Sequence, residues 1–281
     1  MSWVFVTEWA ACLARRIETF SALSSYMIVG DQCLKGEWQG DYGIDVTVCA
    51  PWTARSLANT PAALSLIETL LLAAEFTGDA RFAHDAEGRP FFGRTSHFIS
   101  YCWAAPLSRL LASLEAKGAA SEGGFFWIDI FSVAQCKHSD AAVANNVSDV
   151  SAFETVVTAA RATWLWCEPW YQPATFNRVW CLFEALKTLD QGKSLELVFA
   201  PSEAADLRRT LAERFDDVLT AISSIDVAAA DATVAADKAS IMNLIGVRRG
   251  GVDQFNADLA TEVRRCVFIY RYILNEFCSR F

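Results

Sequence analysis

Phe125-Phe-Trp-Ile-Asp-Ile-Phe131 decides the fold. The run follows Gly123-Gly124 and is apolar on both faces except at Asp129. A central strand of a parallel sheet reads this way, because crossover helices cover it on both sides. Upstream, His97-Phe-Ile-Ser-Tyr101 reads as a first strand. After Pro106, the residues Leu107, Leu110, Leu111 and Leu114 fall at i, i+3, i+4 and i+7, a helix closed by Gly118. Downstream, Phe153, Val156, Val157 and Ala160 repeat that spacing as a second helix. Thr163 to Cys167 is a third strand and Arg178 to Asp190 a third helix ended by Gly192, while Leu195 to Phe199 is a fourth strand stopped by Pro201. The order β-α-β-α-β-α-β predicts an α/β, flavodoxin-like parallel sheet of four to five strands flanked by helices.

The flanks divide the chain into an N-terminal extension (1–92), the α/β core (93–201) and a C-terminal helical segment (202–281) packed on the core. In the extension, a helix is expected near Trp9 to Leu23 and another from Pro61 to Phe76, and the run Ile44 to Cys49 fits a strand. In the C-terminal segment, Leu207, Leu211, Phe215, Val218, Leu219 and Ile222 form one apolar stripe. Phe255, Leu259, Val263, Val267, Tyr270, Leu274 and Phe277 form another; between them the Ala-rich piece Asp226 to Ile245 also reads as helical, before a break at Gly250-Gly251. A long connection, Gln135 to Asp149, precedes the second helix, and loops of that length in compact domains are usually functional or mobile.

Composition removes several classes of function. With 24 Lys+Arg against 33 Asp+Glu the net charge is −9 and no basic stripe is present, which argues against nucleic acid as a partner. Hydrophobic residues make up 53% of the chain and 10 Trp and 19 Phe are present, too apolar for disorder. The 9 cysteines are odd in number and scattered without a C-x-x-C pair, so buried, reduced thiols are expected rather than disulfides or zinc. Neither a signal peptide nor a membrane span is expected, since Glu8 breaks the first apolar stretch and Glu68 and Glu75 break the longest later one. The expected location is cytoplasmic.

Motif absences prune further. The chain has no G-x-G-x-x-G after a strand and no P-loop, and the kinase and G-x-S-x-G signatures are missing. His84, His97 and His138 are not at metal-ligand spacing, so no metal is expected and His97 reads as a satisfied core histidine. In doubly wound sheets the ligand lies beyond the carboxyl ends of the strands, at the switch point of strand order. There the chain places Ser100, Tyr101 and Trp103 after the first strand and Asp129 in the second. Trp180 and Glu184, four apart on the third helix, share one face with Cys181 beside them.

The blocks Ser96-His-Phe-Ile-Ser-Tyr-Cys-Trp103, Phe126-Trp-Ile-Asp-Ile-Phe131 and Arg178-Val-Trp-Cys-Leu-Phe-Glu184 resemble the TIR-type (Toll/interleukin-1 receptor-like) domain over roughly residues 93–200. The similarity is to a divergent branch marked by an F-I-S-x-x-W strand, a W-I-D-I-F strand and an R-x-W-C-L-F-E helix. It implies NAD glycohydrolase activity, in signalling or defence, with Glu184 at the position of the catalytic carboxylate, NAD or a related nucleotide as substrate, and no cofactor. Cleaving the nicotinamide–ribose bond develops positive charge on the ribose, which one carboxylate can stabilise. Nicotinamide leaves neutral, so a general acid is not required. Trp103 or Trp180 would stack the nicotinamide, Ser100 and Tyr101 would hydrogen-bond the ligand, and Asp129 would assist.

The same residues admit other readings. Glu184 also fits an ordinary exposed helix glutamate, residues 180–183 fit plain core, and Asp129 fits a carboxylate that only ties down a loop. A non-enzymatic TIR-type module acting by self-association, or with other TIR-like domains, is the rival function, and a binding-only nucleotide sensor is a third. The sequence departs from the TIR pattern in lacking a fifth strand after Phe199, where helices follow.

Overall fold

A computed structural model describes residues 1–14, 67, 70–71, 74–75, 78–133, 146–223, 225–232 and 235–278. The expected strand at 44–49, most of the expected helix at 61–76 and the connection 135–145 lie outside these residues. Strands β1 (His97–Ser100), β2 (Phe126–Trp127), β3 (Ala162–Trp166) and β4 (Ser194–Val198) form a parallel sheet in the order β2-β1-β3-β4. Strand order reverses between β1 and β3, which is the flavodoxin-like switch point. The chain forms two compact units: Met1–Ile99, Trp103–Leu111 and Gly118–Ala160 in one, and Ser100–Cys102, Ala112–Lys117 and Arg161–Phe281 in the other.

In the first unit, α1 (Trp3–Ala14) buries Phe5, Val6 and Trp9. Trp9 meets Phe131 edge to face at 4.7 Å, and Phe5 meets Phe91 at 5.5 Å. Such pairs add about 0.5–1.5 kcal/mol each to the area they bury. The stripe expected in the second helix is the buried face of α5 (Asn146–Ala159): Val157 and Ala160 are buried with Phe98, and Phe153 and Val156 pack beside them with Trp127. The helix starts at Asn146, so the last residues assigned to the long connection are helical. His97 is the satisfied core histidine expected, buried, stacked on Phe126, with Nδ1 3.0 Å from Ser96 Oγ and Nε2 3.7 Å from Glu122.

Among the described strands the second stands at the edge of the sheet, not at its centre as its two apolar faces suggested, and it is shorter than its apolar run. Pairing stops at Trp127, and Asp129–Ser132 is a helical turn, α4 (helices α2, Leu107–Lys117, and α3, Ala119–Glu122, precede it). The Ser132 N–H returns to the Ile128 carbonyl at 3.1 Å and Val133 N–H to Asp129 at 2.9 Å. A short apolar run cannot be told from buried helix by periodicity. The deciding residue is Asp129, whose carboxylate suits the first turn of a helix.

In the second unit, β3 is buried along its whole length, with Trp164, Leu165 and Trp166 almost fully enclosed. The Trp166 indole N–H donates to Ser113 Oγ at 3.0 Å, which removes the cost of burying that polar group. Helix α6 (Val179–Asp190) packs against β3 and β4 and buries Val179, Leu182, Phe183 and Leu186. The expected stripe 207–222 is carried by two helices, α7 (Pro201–Glu213) and α8 (Phe215–Ser223), broken at Arg214, whose backbone leaves the helical region, and Asp216 and Asp217 favour a new helix start. Of the Ala-rich piece, the described residues 226–232 are not helical, and the helix is α9 (Ala235–Gly246). Before it, the Asp226 carboxylate accepts the Ala228 N–H at 3.0 Å, a local turn that competes with helix. The last stripe is α10 (Gly251–Cys278). No described helix is long and apolar enough to cross a membrane.

Candidate functional site

The start of α6 is held by backbone rather than by a capping side chain. Arg178 occupies the N-cap position without a side-chain cap bond. The orphan Val179 N–H instead donates to the Asp231 carbonyl at 3.0 Å, and Asp231 N–H donates to Asn177 at 2.9 Å. These two bonds set the position of the turn that carries Trp180, Cys181 and Glu184.

Cys181 joins that turn to the carboxyl end of β1. Its thiol donates to the Tyr101 carbonyl at 3.4 Å. Burial pushes the thiol well above its ordinary range, and the nearby Glu184 charge and Cys102 push the same way, while Ser100 and Arg178 oppose them. Ser100 is 1% exposed, and its hydroxyl makes no hydrogen bond to oxygen or nitrogen; the Cys181 thiol is the polar group beside it. Tyr101 is buried as well.

Glu184 is 8% exposed, which overturns the reading of it as an ordinary exposed helix glutamate. On an ideal helix it projects about 40° from Trp180 and about 60° from Cys181, so it lies angularly between them. Its carbonyl accepts the Thr188 hydroxyl at 2.7 Å, and Thr188 Oγ1 in turn lies 2.7 Å from Thr163 Oγ1 on β3. Trp180 is half-buried, set edge-on to Phe183 at 6.0 Å, and its indole N–H donates to Asp237 Oδ2 at 2.9 Å. Ser100, Tyr101, Trp180 and Glu184 are therefore all placed around Cys181 in the second unit.

Trp103 and Asp129 form a pair of their own in the first unit. The Trp103 indole N–H donates to Asp129 Oδ2 at 2.5 Å, and Asp129 Oδ1 accepts the Ile130 N–H at 2.7 Å. Asp129 thus ties down local backbone and an indole, and it stands in a helical turn rather than in a strand.

The chain matches no family model, no curated protein and no solved structure. A small apolar pocket in the second unit, lined by Cys167, Trp170, Phe176, Phe199 and Val263 among others, contains none of the candidate site residues. Among the described residues, no group of three or more His, Cys, Asp or Glu side chains is placed to hold a metal ion. Three residues at the site carry no signal in their own surroundings in sequence: Thr188, Asp231 and Asp237. Asp237 lies 57 residues from the indole it accepts, and only the docking of α9 brings it there.

Proposed function

We propose that the protein is a TIR-type NAD glycohydrolase with Glu184 as its catalytic carboxylate. The reaction breaks the bond between the nicotinamide nitrogen and ribose C1′. The bonding pair leaves with neutral nicotinamide, water oxygen adds to C1′, and one proton is released. Glu184 would stabilise the positive charge developing on the ribose. The observation that carries this reading is that Glu184 is buried on α6 one turn after Cys181, whose thiol is fastened to Tyr101 at the carboxyl end of β1. In the β2-β1-β3-β4 order that end borders the switch point. The Ser100 hydroxyl at that end is buried beside the Cys181 thiol and has no oxygen or nitrogen partner. The test is nicotinamide release from NAD over a range of protein concentrations, with Glu184→Gln alongside. Release lost in the variant supports the assignment; equal release in both removes Glu184 from the chemistry, and no release at any concentration removes the activity.

A second reading, an interaction module that self-associates, is favoured by Val247 (75% exposed), Phe268 and Ile269, apolar side chains that face solvent. Concentration-dependent assembly without turnover would select it.

A further inference from the structure

Helices α6 and α9 are fastened to each other at both ends. At the start, Trp180 Nε1–H donates to Asp237 Oδ2 at 2.9 Å; at the far end, Arg248, just past α9, reaches Asp190, the last residue of α6, at 2.8 Å. The paired residues are 57 and 58 apart, so the helices run in the same direction in constant register. Backbone bonds between Asp231 and residues 177 and 179 fix the approach to the first tether. Asp237 is 9% exposed, in the first turn of α9, where its charge is favoured by the helix end.

We infer that Asp237 is a positioning residue for the candidate site: by holding the Trp180 indole it sets the ring that is to meet the nicotinamide beside Glu184. This rests on the glycohydrolase reading. Glu184 lies angularly between a neighbour fastened to β1, Cys181, and a neighbour fastened to α9, Trp180. One wall of the site is therefore set by a segment outside the β-α repeat. An indole that has lost this acceptor is held less firmly, and a ligand would have to fix its orientation on binding, which weakens ground-state binding. Asp237 touches the tryptophan and acts through it, so its loss is expected in KM rather than in kcat.

The experiment follows the Trp180 indole N–H resonance, assigned by its absence in Trp180→Phe, together with steady-state nicotinamide release. Asp237→Ala is expected to move that resonance and raise KM for NAD about tenfold with kcat within about twofold. Asp237→Asn keeps an acceptor oxygen and is expected to stay within about threefold of the parent KM. Trp180→Phe keeps a ring but loses the donor, and combining it with Asp237→Ala should add little further loss. Should Asp237→Ala fail to fold, Asp237→Asn and Trp180→Phe carry the comparison. An unmoved resonance, or a moved resonance with unchanged KM, overturns the inference while leaving the activity standing. A parent protein that neither releases nicotinamide nor shifts its Trp180 resonance on adding NAD removes the glycohydrolase reading and this inference with it.

Discussion

The Thr163 hydroxyl on β3 donates to the Thr188 hydroxyl on α6 across 2.7 Å, because the Thr188 proton is already given to the Glu184 carbonyl. Both side chains are fully buried. A relay of two hydroxyls therefore couples the sheet to the backbone of the residue that carries the candidate carboxylate. Thr188→Val strands a buried donor on Thr163, whereas Thr163→Val leaves the Thr188 proton satisfied. We expect Thr188→Val to cost about 1–3 kcal/mol and Thr163→Val less than half of that. Urea unfolding of the two variants checks the order; equal losses would show that the relay does not run in this direction.

Thiol burial gives a pH dependence. Burial pushes the Cys181 and Cys167 thiols far above the ordinary range, and it raises Cys266 to about 11. In the unfolded chain these thiols titrate near about 8.5. The folded state keeps its protons where the unfolded state releases them, so stability from these groups is complete below about pH 8 and falls as pH rises toward the folded values. Unfolding midpoints from pH 7 to 10.5 should decline, and the decline should be shallower in Cys181→Ala. The same slope in parent and variant would assign the alkaline loss to other groups.

Arg248 joins two carboxylates, Asp190 at the end of α6 and Asp258 on α10, each at 2.8 Å. A planar guanidinium serves both at once, which an ammonium cannot do with the same geometry. Because the side chains are partly exposed, we expect Arg248→Ala to cost about 1 kcal/mol, with Arg248→Lys recovering less than half. Chemical denaturation at low and high salt measures this. Full rescue by lysine would mean that charge alone matters.

Gly124 precedes β2 where a side chain has no room. A Cβ there would lie 2.2 Å from Ser96 Oγ, a hydroxyl committed to the Phe125 carbonyl at 2.9 Å. Gly124→Ala must displace the Ser96 side chain from the Phe125 carbonyl, and a loss of about 1–3 kcal/mol is expected. Gly124→Ala combined with Ser96→Gly should recover part of that loss in thermal unfolding. No recovery would place the clash elsewhere.

The periodic elements were legible in the sequence because their burial follows from local spacing. The leucines at 107, 110, 111 and 114, the stripe of α5 and the apolar β3 and β4 needed no knowledge of partners. The run 125–131 misled because an apolar stretch looks alike in a strand and in a buried turn, and the turn at Asp129 depends on Trp103 and Ile130, which local periodicity does not register. Residues 207–222 misled for a related reason: one stripe spans two helices without a gap in its apolar positions. Of the candidate site, the shared helix face of Trp180 and Glu184 was readable from their spacing. The burial of Glu184 was not, since it depends on what packs over that face.

By itself, then, the amino-acid sequence determined an α/β chain of parallel strands and crossover helices, with a net charge of −9 and with buried cysteines at 102, 167 and 181. Those properties follow from interactions over a few residues, or from composition. The tertiary structure alone decided the sheet order, the length of β2, the pairing of Trp103 with Asp129 and of Trp180 with Asp237, and the Thr163–Thr188 relay. Each of these last joins polar groups 25 to 57 residues apart. A buried donor takes whichever acceptor the packing brings within 3 Å, and no local pattern encodes that choice.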